Sequence, residues 1–343
     1  MDARSDMPLV SAIVAMRNEE AFIEKCLNSL AGQDYPPNLL EILVVDGRST
    51  DSSREIVSAM QQSMPNLRLL DNEKRISPVA FNIGIREARG EVLTIISAHC
   101  YLAPDYVSRC VEYLAKTDAD CVGGPIETIG ETDTARAIAL AMSSPFGVGD
   151  ALFRYSDREQ YVDTLAFGAY RRDVFERVGL FDEELVGSED DEFNYRLRSQ
   201  GGRLYLTPAI RSFYYGRSSL GALCKQYFSY GQGKVRVMAR HPGQVRLRHL
   251  IPAIFVLSLL VSATLGLLSP TFALLFALIV GCYVLSSLFV AFGIARREGW
   301  RYLPLLPAAF ACLHLSYGAG FLWGVVRYLL QEIVGTGESN VQP

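Results

Sequence analysis

The chain has 343 residues, half of them hydrophobic, enough for one large or two ordinary domains. Its net charge of −4 hides a division. Residues 1–192 carry 18 Lys and Arg against 34 Asp and Glu, and residues 193–343 carry 15 against 3. A basic half that adjoins uncharged apolar segments suits membrane lipids or a diphosphate lipid, and argues against nucleic acid as the partner. Seven cysteines without a Cys-x-x-Cys pair read as free thiols in a reducing compartment. The start Met1-Asp2-Ala3-Arg4 lacks the pattern of a signal peptide, so the N-terminal part is expected in the cytoplasm.

In chain order, residues 10–15 form an apolar strand. Phe22, Ile23, Cys26, Leu27 and Leu30 then recur at helical spacing, which predicts a helix over 19–31. Residues 42–45 are a second strand ending in Asp46-Gly47-Arg48-Ser49, and Ile56, Val57 and Met60 mark the next helix. Residues 92–96 are a short, β-branched run that reads as a strand buried on both faces. It stops at Ser97-Ala98-His99, and Pro104 opens a new helix. Strand and helix alternate, which implies an α/β fold with parallel strands joined by right-handed crossovers. Ligands of such sheets lie beyond the carboxyl ends of the strands, so Asp46 and His99 stand at one mouth. A carboxylate at Asp46 can accept hydrogen bonds from a nucleobase imide or from ribose hydroxyls.

A further strand is expected over 121–126, closing on Glu127, and a helix with a glycine-containing loop over 132–149. Residues 154–162 are polar and form a candidate flap. At Gly187-Ser188-Glu189-Asp190-Asp191-Glu192, Ser188 with Asp191 fits a capping box. Four consecutive acids nevertheless exceed what capping needs, and they repel one another. Residues 220–240 read as an interfacial amphipathic helix with Lys225, Lys234, Arg236 and Arg240 toward head groups. Its aromatic residues either pack against lipid or bind an acceptor.

No Asp, Glu, Lys or Arg occurs over 250–295 or 302–326. Three membrane spans follow, at about 249–268, 271–294 and 303–326. A transporter is a poor reading, because these spans contain no Asp, Glu, Lys or Arg, and besides His249 at the edge of the first span only His314 among histidines, whereas transport paths are usually lined by ionisable groups. Arg296, Arg297 and Arg301 lie between the second and third spans, which places that loop and the N-terminal domain on the cytoplasmic side.

Residues 82–92, leading into the strand, the polar triplet and Pro104-Asp105-Tyr106, resemble the core of family 2 glycosyltransferases. So do Phe167-Gly168-Ala169-Tyr170-Arg171-Arg172 followed by Val178-Gly179-Leu180-Phe181-Asp182-Glu183, and Glu189-Asp190 before Arg196-Leu197. The wording Ile76-Ser77-Pro78-Val79-Ala80-Phe81-Asn82 and Asp163-Thr164-Leu165-Ala166-Phe167-Gly168 is similar to the ExoA-type succinoglycan glucosyltransferases, which form β-1,3-glucosides on a polyprenyl-diphosphate sugar. The resemblance implies a GT-A domain over residues 8–235, Rossmann-like with a mostly parallel sheet and including the interfacial helix from about 218. The helical transmembrane region, 249–326, follows it.

What the resemblance implies functionally is an inverting transfer of a hexose, glucose in that subgroup, from a UDP-sugar to a polyprenyl-diphosphate-linked saccharide at a bacterial-type inner membrane. Asp190 would be the general base, flanked by Glu189 and Asp191. Asp46, Arg75, Asn82 and Ser97 would bind the donor. The family's usual Asp-x-Asp, which holds a divalent metal on the diphosphate, is Ser97-Ala98-His99 here. His99 then either ligates Mn²⁺ or Mg²⁺, with softer Mn²⁺ preferred, or acts as an imidazolium on the diphosphate, helped by Arg75 or Arg171. The usual Asp-Asp-Gly-Ser is Asp46-Gly47-Arg48-Ser49, tyrosine replaces a histidine before Ser218-Ser219-Leu220, and the Arg-Trp of processive relatives after Gln226 is missing. The contrasting reading is an inactive GT-A-fold scaffold that recruits other polysaccharide-assembly proteins.

Overall fold

The first apolar run forms β1 (Val10–Met16), followed by α1 (Ile23–Ala31), β2 (Leu40–Asp46), α2 (Ser53–Met60), β3 (Leu67–Asp71), α3 (Ser77–Glu87) and β4 (Val92–Ser97). The computed structural model describes residues 7–338. Its chain divides into two compact units, one reaching Glu127 and resuming over Ala151–Tyr215, the other holding Thr128–Asp150 and the residues from Gly216 on. β1 pairs in parallel with both β2 and β4, and β2 pairs in parallel with β3. β2 is buried along its whole length, as a strand covered on both faces must be. Alternate residues supply the two layers. Val10, Ala12 and Val14 pack with Cys26, Leu27, Val57 and Val107, whereas Ile13, Leu43 and Val45 pack with Phe81, Ile85, Phe175 and Phe193.

Beyond β4 lie β5 (Cys100–Leu102), α4 (Tyr106–Lys116) and β6 (Cys121–Gly123). The single strand expected over 121–126 is two, because β7 (Ile126–Ile129) starts afresh after Gly124 and Pro125. A Cβ on Gly124 would sit 1.6 Å from the Ile210 carbonyl oxygen, and Pro125 has no N–H to continue a ladder. As expected over 132–149, a helix, α5 (Asp133–Met142), is followed by a glycine-containing stretch, which holds a single turn, α6 (Pro145–Val148).

The chain re-enters the first unit through β8 (Gln160–Val162), β9 (Ala169–Arg171), α7 (Asp173–Val178), α8 (Glu189–Ser199), β10 (Leu204–Leu206) and β11 (Ser212–Tyr215). β9 runs antiparallel between β4 and β6, and β10 lies parallel to β6 and antiparallel to β8, completing an eight-stranded sheet in the order β3-β2-β1-β4-β9-β6-β10-β8. The sheet is mostly parallel on its first half and mixed on the second. Part of the expected flap, Gln160–Val162, is thus an edge strand. β11 pairs with β5 just outside the end of β4.

The second unit is helical from α9 (Leu220–Arg240) through α10 (Leu247–Gly266), α11 (Pro270–Glu298) and α12 (Leu306–Glu338). Leu247–Gly266, Pro270–Glu298 and Leu306–Gln331 are long and apolar enough to cross a membrane, close to the three expected spans. Leu267, Leu268, Leu285 and Phe289 are exposed, a surface that suits lipid rather than water. α9 packs tightly on α12. A Cβ on Gly231 would fall 2.2 Å from the Tyr317 carbonyl oxygen, and one on Gly320 2.1 Å from that of Phe228, the close backbone approach typical of helices in membranes. Lys225, Arg236 and Arg240 are exposed as expected of an interfacial helix, but Lys234 is buried.

Candidate active site

The loops after β1, β2 and β3 share an unusual backbone. Asn18, Arg48 and Arg75 have φ of 54°, 58° and 60°, a left-handed conformation that side chains other than glycine adopt at a cost, and one that clusters at functional sites. Side-chain bonds lock the loops together. Ser49 Oγ accepts from the Asn18 N–H at 2.9 Å, Asn18 Oδ1 accepts from the Thr50 N–H at 2.8 Å, and Ser53 Oγ accepts from the Glu19 N–H at 2.7 Å. Arg17 donates to the Arg75 carbonyl at 3.2 Å. The helix expected from residue 19 starts at Ile23; the Glu19 carbonyl opens a turn ahead of it by accepting from the Phe22 and Ile23 N–H groups, and the Glu19 and Glu20 N–H groups bond Ser53 and Asp51.

Asp46 ends β2 at 0% exposure. Its carboxylate accepts from the Ser49 hydroxyl at 2.6 Å and from Arg54 at 2.9 Å. Arg54 also reaches Asp71 at 2.7 Å, the residue opposite Asp46 on β3. A buried carboxylate is tolerated because it is paired and hydrogen-bonded. Asp71, half exposed, is the carboxylate of this pair that faces solvent.

At the end of β4, His99 Nδ1 lies 2.8 Å from Glu19 Oε1, and Ser97 Oγ lies 3.0 Å from Nδ1 and 3.3 Å from Nε2. The His99 ring meets Tyr214 of β11 edge-on at 5.0 Å between centres, and the His99 carbonyl accepts from the Tyr215 N–H. A neutral ring that donates Nδ1–H to Glu19 would carry its lone pair on Nε2. This is the carboxylate–imidazole relay that stands behind metal-bound histidines. No group of three His, Cys, Asp or Glu converges among the described residues. A cation held at His99 would therefore draw most of its ligands from diphosphate oxygens and water.

The acidic run opens α8. Ser188 makes no side-chain cap hydrogen bond, so capping does not account for the acids. Glu192, 1% exposed, is gripped by Arg196 at 2.6 and 3.0 Å, and Arg196 also bonds the carbonyls of Val178 and Leu180. Asn194 bonds Leu165, Thr164 and Tyr170, while Phe193 and Leu197 are fully buried. This anchoring fixes the first turn. Glu189 Oε1 accepts from Ser77 at the start of α3, and its buried Oε2 has no hydrogen-bond partner among the described residues. Asp190 makes no hydrogen bond or ion pair there. Burial first, and then repulsion from Glu189 and Asp191, push its carboxyl up to about 8.

These contacts bring Glu19, Arg75, Ser97, His99, Glu189 and Asp190 to one sheet edge through the links His99–Glu19, Arg17–Arg75 and Ser77–Glu189. Asn82 is not among them. It is 1% exposed, and its amide bonds the backbone of Phe181 at 2.9 Å in both directions and Glu183 at 3.2 Å, so it ties α3 to the segment before α8. Arg171 likewise bonds the carbonyls of Ala119 and Leu114. Sequence reasoning did not single out Glu19, Ser77 or Arg54, which the contacts above join to these residues. Glu19 had a signal, an acid directly after a strand at the same sheet edge as His99.

Comparison with known proteins decides what this edge belongs to. The family model for glycosyl transferase family 2 matches residues 11–179. A Methanococcus voltae protein, dolichyl N-acetyl-alpha-D-glucosaminyl phosphate 3-beta-D-2,3-diacetamido-2,3-dideoxy-beta-D-glucuronosyltransferase, is 33% identical across 94% of this chain and 98% of its own length. The chain belongs to glycosyl transferase family 2. The succinoglycan biosynthesis protein ExoA of Rhizobium meliloti is 30% identical across 90% of this chain and 92% of its own. Among solved structures, the mannosyltransferase PcManGT of Pyrobaculum calidifontis, in complex with GDP-Man and Mn²⁺, overlays with a TM-score of 0.58 at 20% identity, covering 93% of this chain and 88% of that one. The fold is GT-A, and the family 2 member described here is a glycosyltransferase.

Proposed function

We propose that this glycosyltransferase is an inverting, membrane-bound hexosyltransferase. It moves glucose or a related hexose from a UDP-sugar to a polyprenyl-diphosphate-linked saccharide, on the cytoplasmic face of a bacterial-type inner membrane, in exopolysaccharide synthesis. The observation that carries the reaction type is Asp190, an unpartnered carboxyl with raised proton affinity in the first turn of α8. A base with a pKa near the working pH is what a one-step displacement needs. The acceptor oxygen bonds to the anomeric carbon as that carbon's bond to the donor phosphate breaks. The electron pair leaves on the nucleoside diphosphate, and the acceptor proton passes to Asp190. Glu189, held by Ser77, and Asp191 keep that carboxyl in a negative field. One relative acts, by its name, on a dolichyl phosphate sugar with a 3-β linkage and another serves succinoglycan biosynthesis, which favours a lipid-linked acceptor and a β product.

On the donor side, Asp46 with Arg54 and the exposed Asp71 meets the nucleoside, and Arg75 lies beside it. Ser97 and the Nε2 of His99 would hold a divalent cation, Mn²⁺ or Mg²⁺, which would neutralise the departing diphosphate. Glu19 orients the imidazole.

The test is transfer of radiolabel from a panel of UDP-sugars into the lipid fraction of sealed membrane vesicles. Inside-out vesicles should incorporate hexose from one UDP-sugar, in β linkage, and right-side-out vesicles should not. Nucleotide binding without transfer from any donor would instead favour the scaffold reading.

A further inference from the structure

Arg154 ends a short 3₁₀ turn, Leu152–Arg154, ahead of the loop that leads to β8. Its guanidinium carbon lies 5.1 Å from the centre of the Phe153 ring and 5.8 Å from that of Tyr214. Tyr214 is the ring that His99 meets at 5.0 Å. It is 8% exposed and fixed by pairing of its strand residue with Cys100. One rigid aromatic side chain thus supports both a guanidinium and the imidazole of the altered triplet. Arg154 Nη1 is buried and has no hydrogen-bond partner among the described residues, and no carboxylate pairs with the side chain there.

A buried N–H of a permanently charged group without an acceptor is costly, and native structures rarely retain one without a reason. A guanidinium is also the side chain best shaped to grip two phosphate oxygens. Phosphates that carry developing charge need such fixed donors. The triplet itself offers fewer charged groups than usual, since Ser97 and His99 stand where two aspartates would hold a metal.

We propose that Arg154 binds a diphosphate in this site, acting beside His99. The inference rests on the proposed glycosyl transfer, and the diphosphate is that of the nucleotide donor or that of the lipid acceptor. Its role is binding, so binding separates it from the activity test. Full-length protein in detergent is titrated with UDP and UMP in one arm, and with farnesyl diphosphate and farnesyl monophosphate in the other. The wild type should prefer the diphosphate in at least one arm. Arg154→Met keeps a stem to pack on Tyr214 but no charge, and should cut that preference roughly 10- to 100-fold, the worth of a charged hydrogen bond. Arg154→Lys should restore part of it. Arg154→Gln, read by the same ratio, serves should the methionine variant misfold. Loss in the nucleotide arm assigns the donor, and loss in the prenyl arm assigns the acceptor. An unchanged preference in both arms, in a variant with wild-type circular dichroism, overturns the proposal. So does a wild type with no diphosphate preference in either arm, even if it transfers sugar in vesicles.

Discussion

Two short segments at one sheet edge have opposite charge economies. Glu189–Glu192 stacks four carboxylates in one helical turn, while Ser97-Ala98-His99 has none where relatives of this family usually carry two. The first segment is not uniformly reactive. Ser77 takes Glu189, Arg196 takes Glu192, and Asp190 is left with its proton affinity raised. Excess acid thereby raises the proton affinity of one carboxyl. In the second segment the one nearby carboxylate, Glu19, is applied to His99 from outside the triplet. Chemistry at a proton-accepting centre gains from crowded negative charge. Chemistry at a departing diphosphate gains from its removal. The tests that follow try to break this division of labour, beginning with its largest expected effect.

Asp190→Asn should leave UDP binding intact and lower turnover by about 10²–10⁴-fold, the usual loss when one general base is removed. In the wild type, turnover should rise with pH up to about 8, because only the deprotonated carboxyl accepts the proton. Retention of more than about a tenth of wild-type turnover by the variant would move the base to Asp191.

That the acidic run around Asp190 stands out in the sequence, while Arg154 and Glu19 do not, has a physical origin. An acidic run before a helix violates what capping and like-charge repulsion predict, so it draws the eye without a structure. Parallel strands such as β2 and β4 announce themselves as unbroken apolar runs, and spans such as Pro270–Glu298 by the absence of charge. β6, β8, β9 and β10 are three residues each, too short to show any alternation. The mixed half of the sheet is therefore set by pairing partners distant in the chain. Arg154 sits in a polar stretch with other charged residues, and its meaning depends on Tyr214, 60 residues later. Glu19 looks like an ordinary residue of the turn that opens α1, and only the structure shows its side chain reaching His99. Asn82 shows the converse. Its place in a family-like segment suggested the donor, whereas its side chain joins two parts of the core.

The second break exchanges the character of the triplet. Ser97→Asp with His99→Asp should keep transfer activity and shift the preferred cation from Mn²⁺ toward Mg²⁺, since paired carboxylates suit the harder ion and imidazole the softer one. The change should be a few-fold to tenfold in the ratio of rates with the two metals. Turnover abolished with either metal would show that carboxylates cannot serve beside this diphosphate, and that His99 works through positive charge alone. Full wild-type turnover in excess chelator, on protein shown by elemental analysis to be metal-free, would lead to the same revision.

The smallest expected effect concerns stability. Asp190 titrates near 3.9 in an unfolded chain and near 8 in the folded one. A group whose pKa is raised by folding favours the folded state below its unfolded pKa. That contribution declines as pH climbs from about 4 toward 8 and is gone above the folded pKa. Asparagine has the shape of the protonated acid and never ionises. The thermal midpoints of wild type and Asp190→Asn should therefore nearly coincide at pH 4.5 and separate with rising pH, the variant melting higher by a few degrees at pH 8.5. Other titrating groups act on both proteins alike, so the difference between the two curves isolates this carboxyl. An inactive variant that is also the more stable one is the pattern expected where an active-site charge is held against its solvation preference. Midpoint curves that stay parallel from pH 4.5 to 8.5 would mean that Asp190 is not desolvated, and the case for its role as base would lose its electrostatic half.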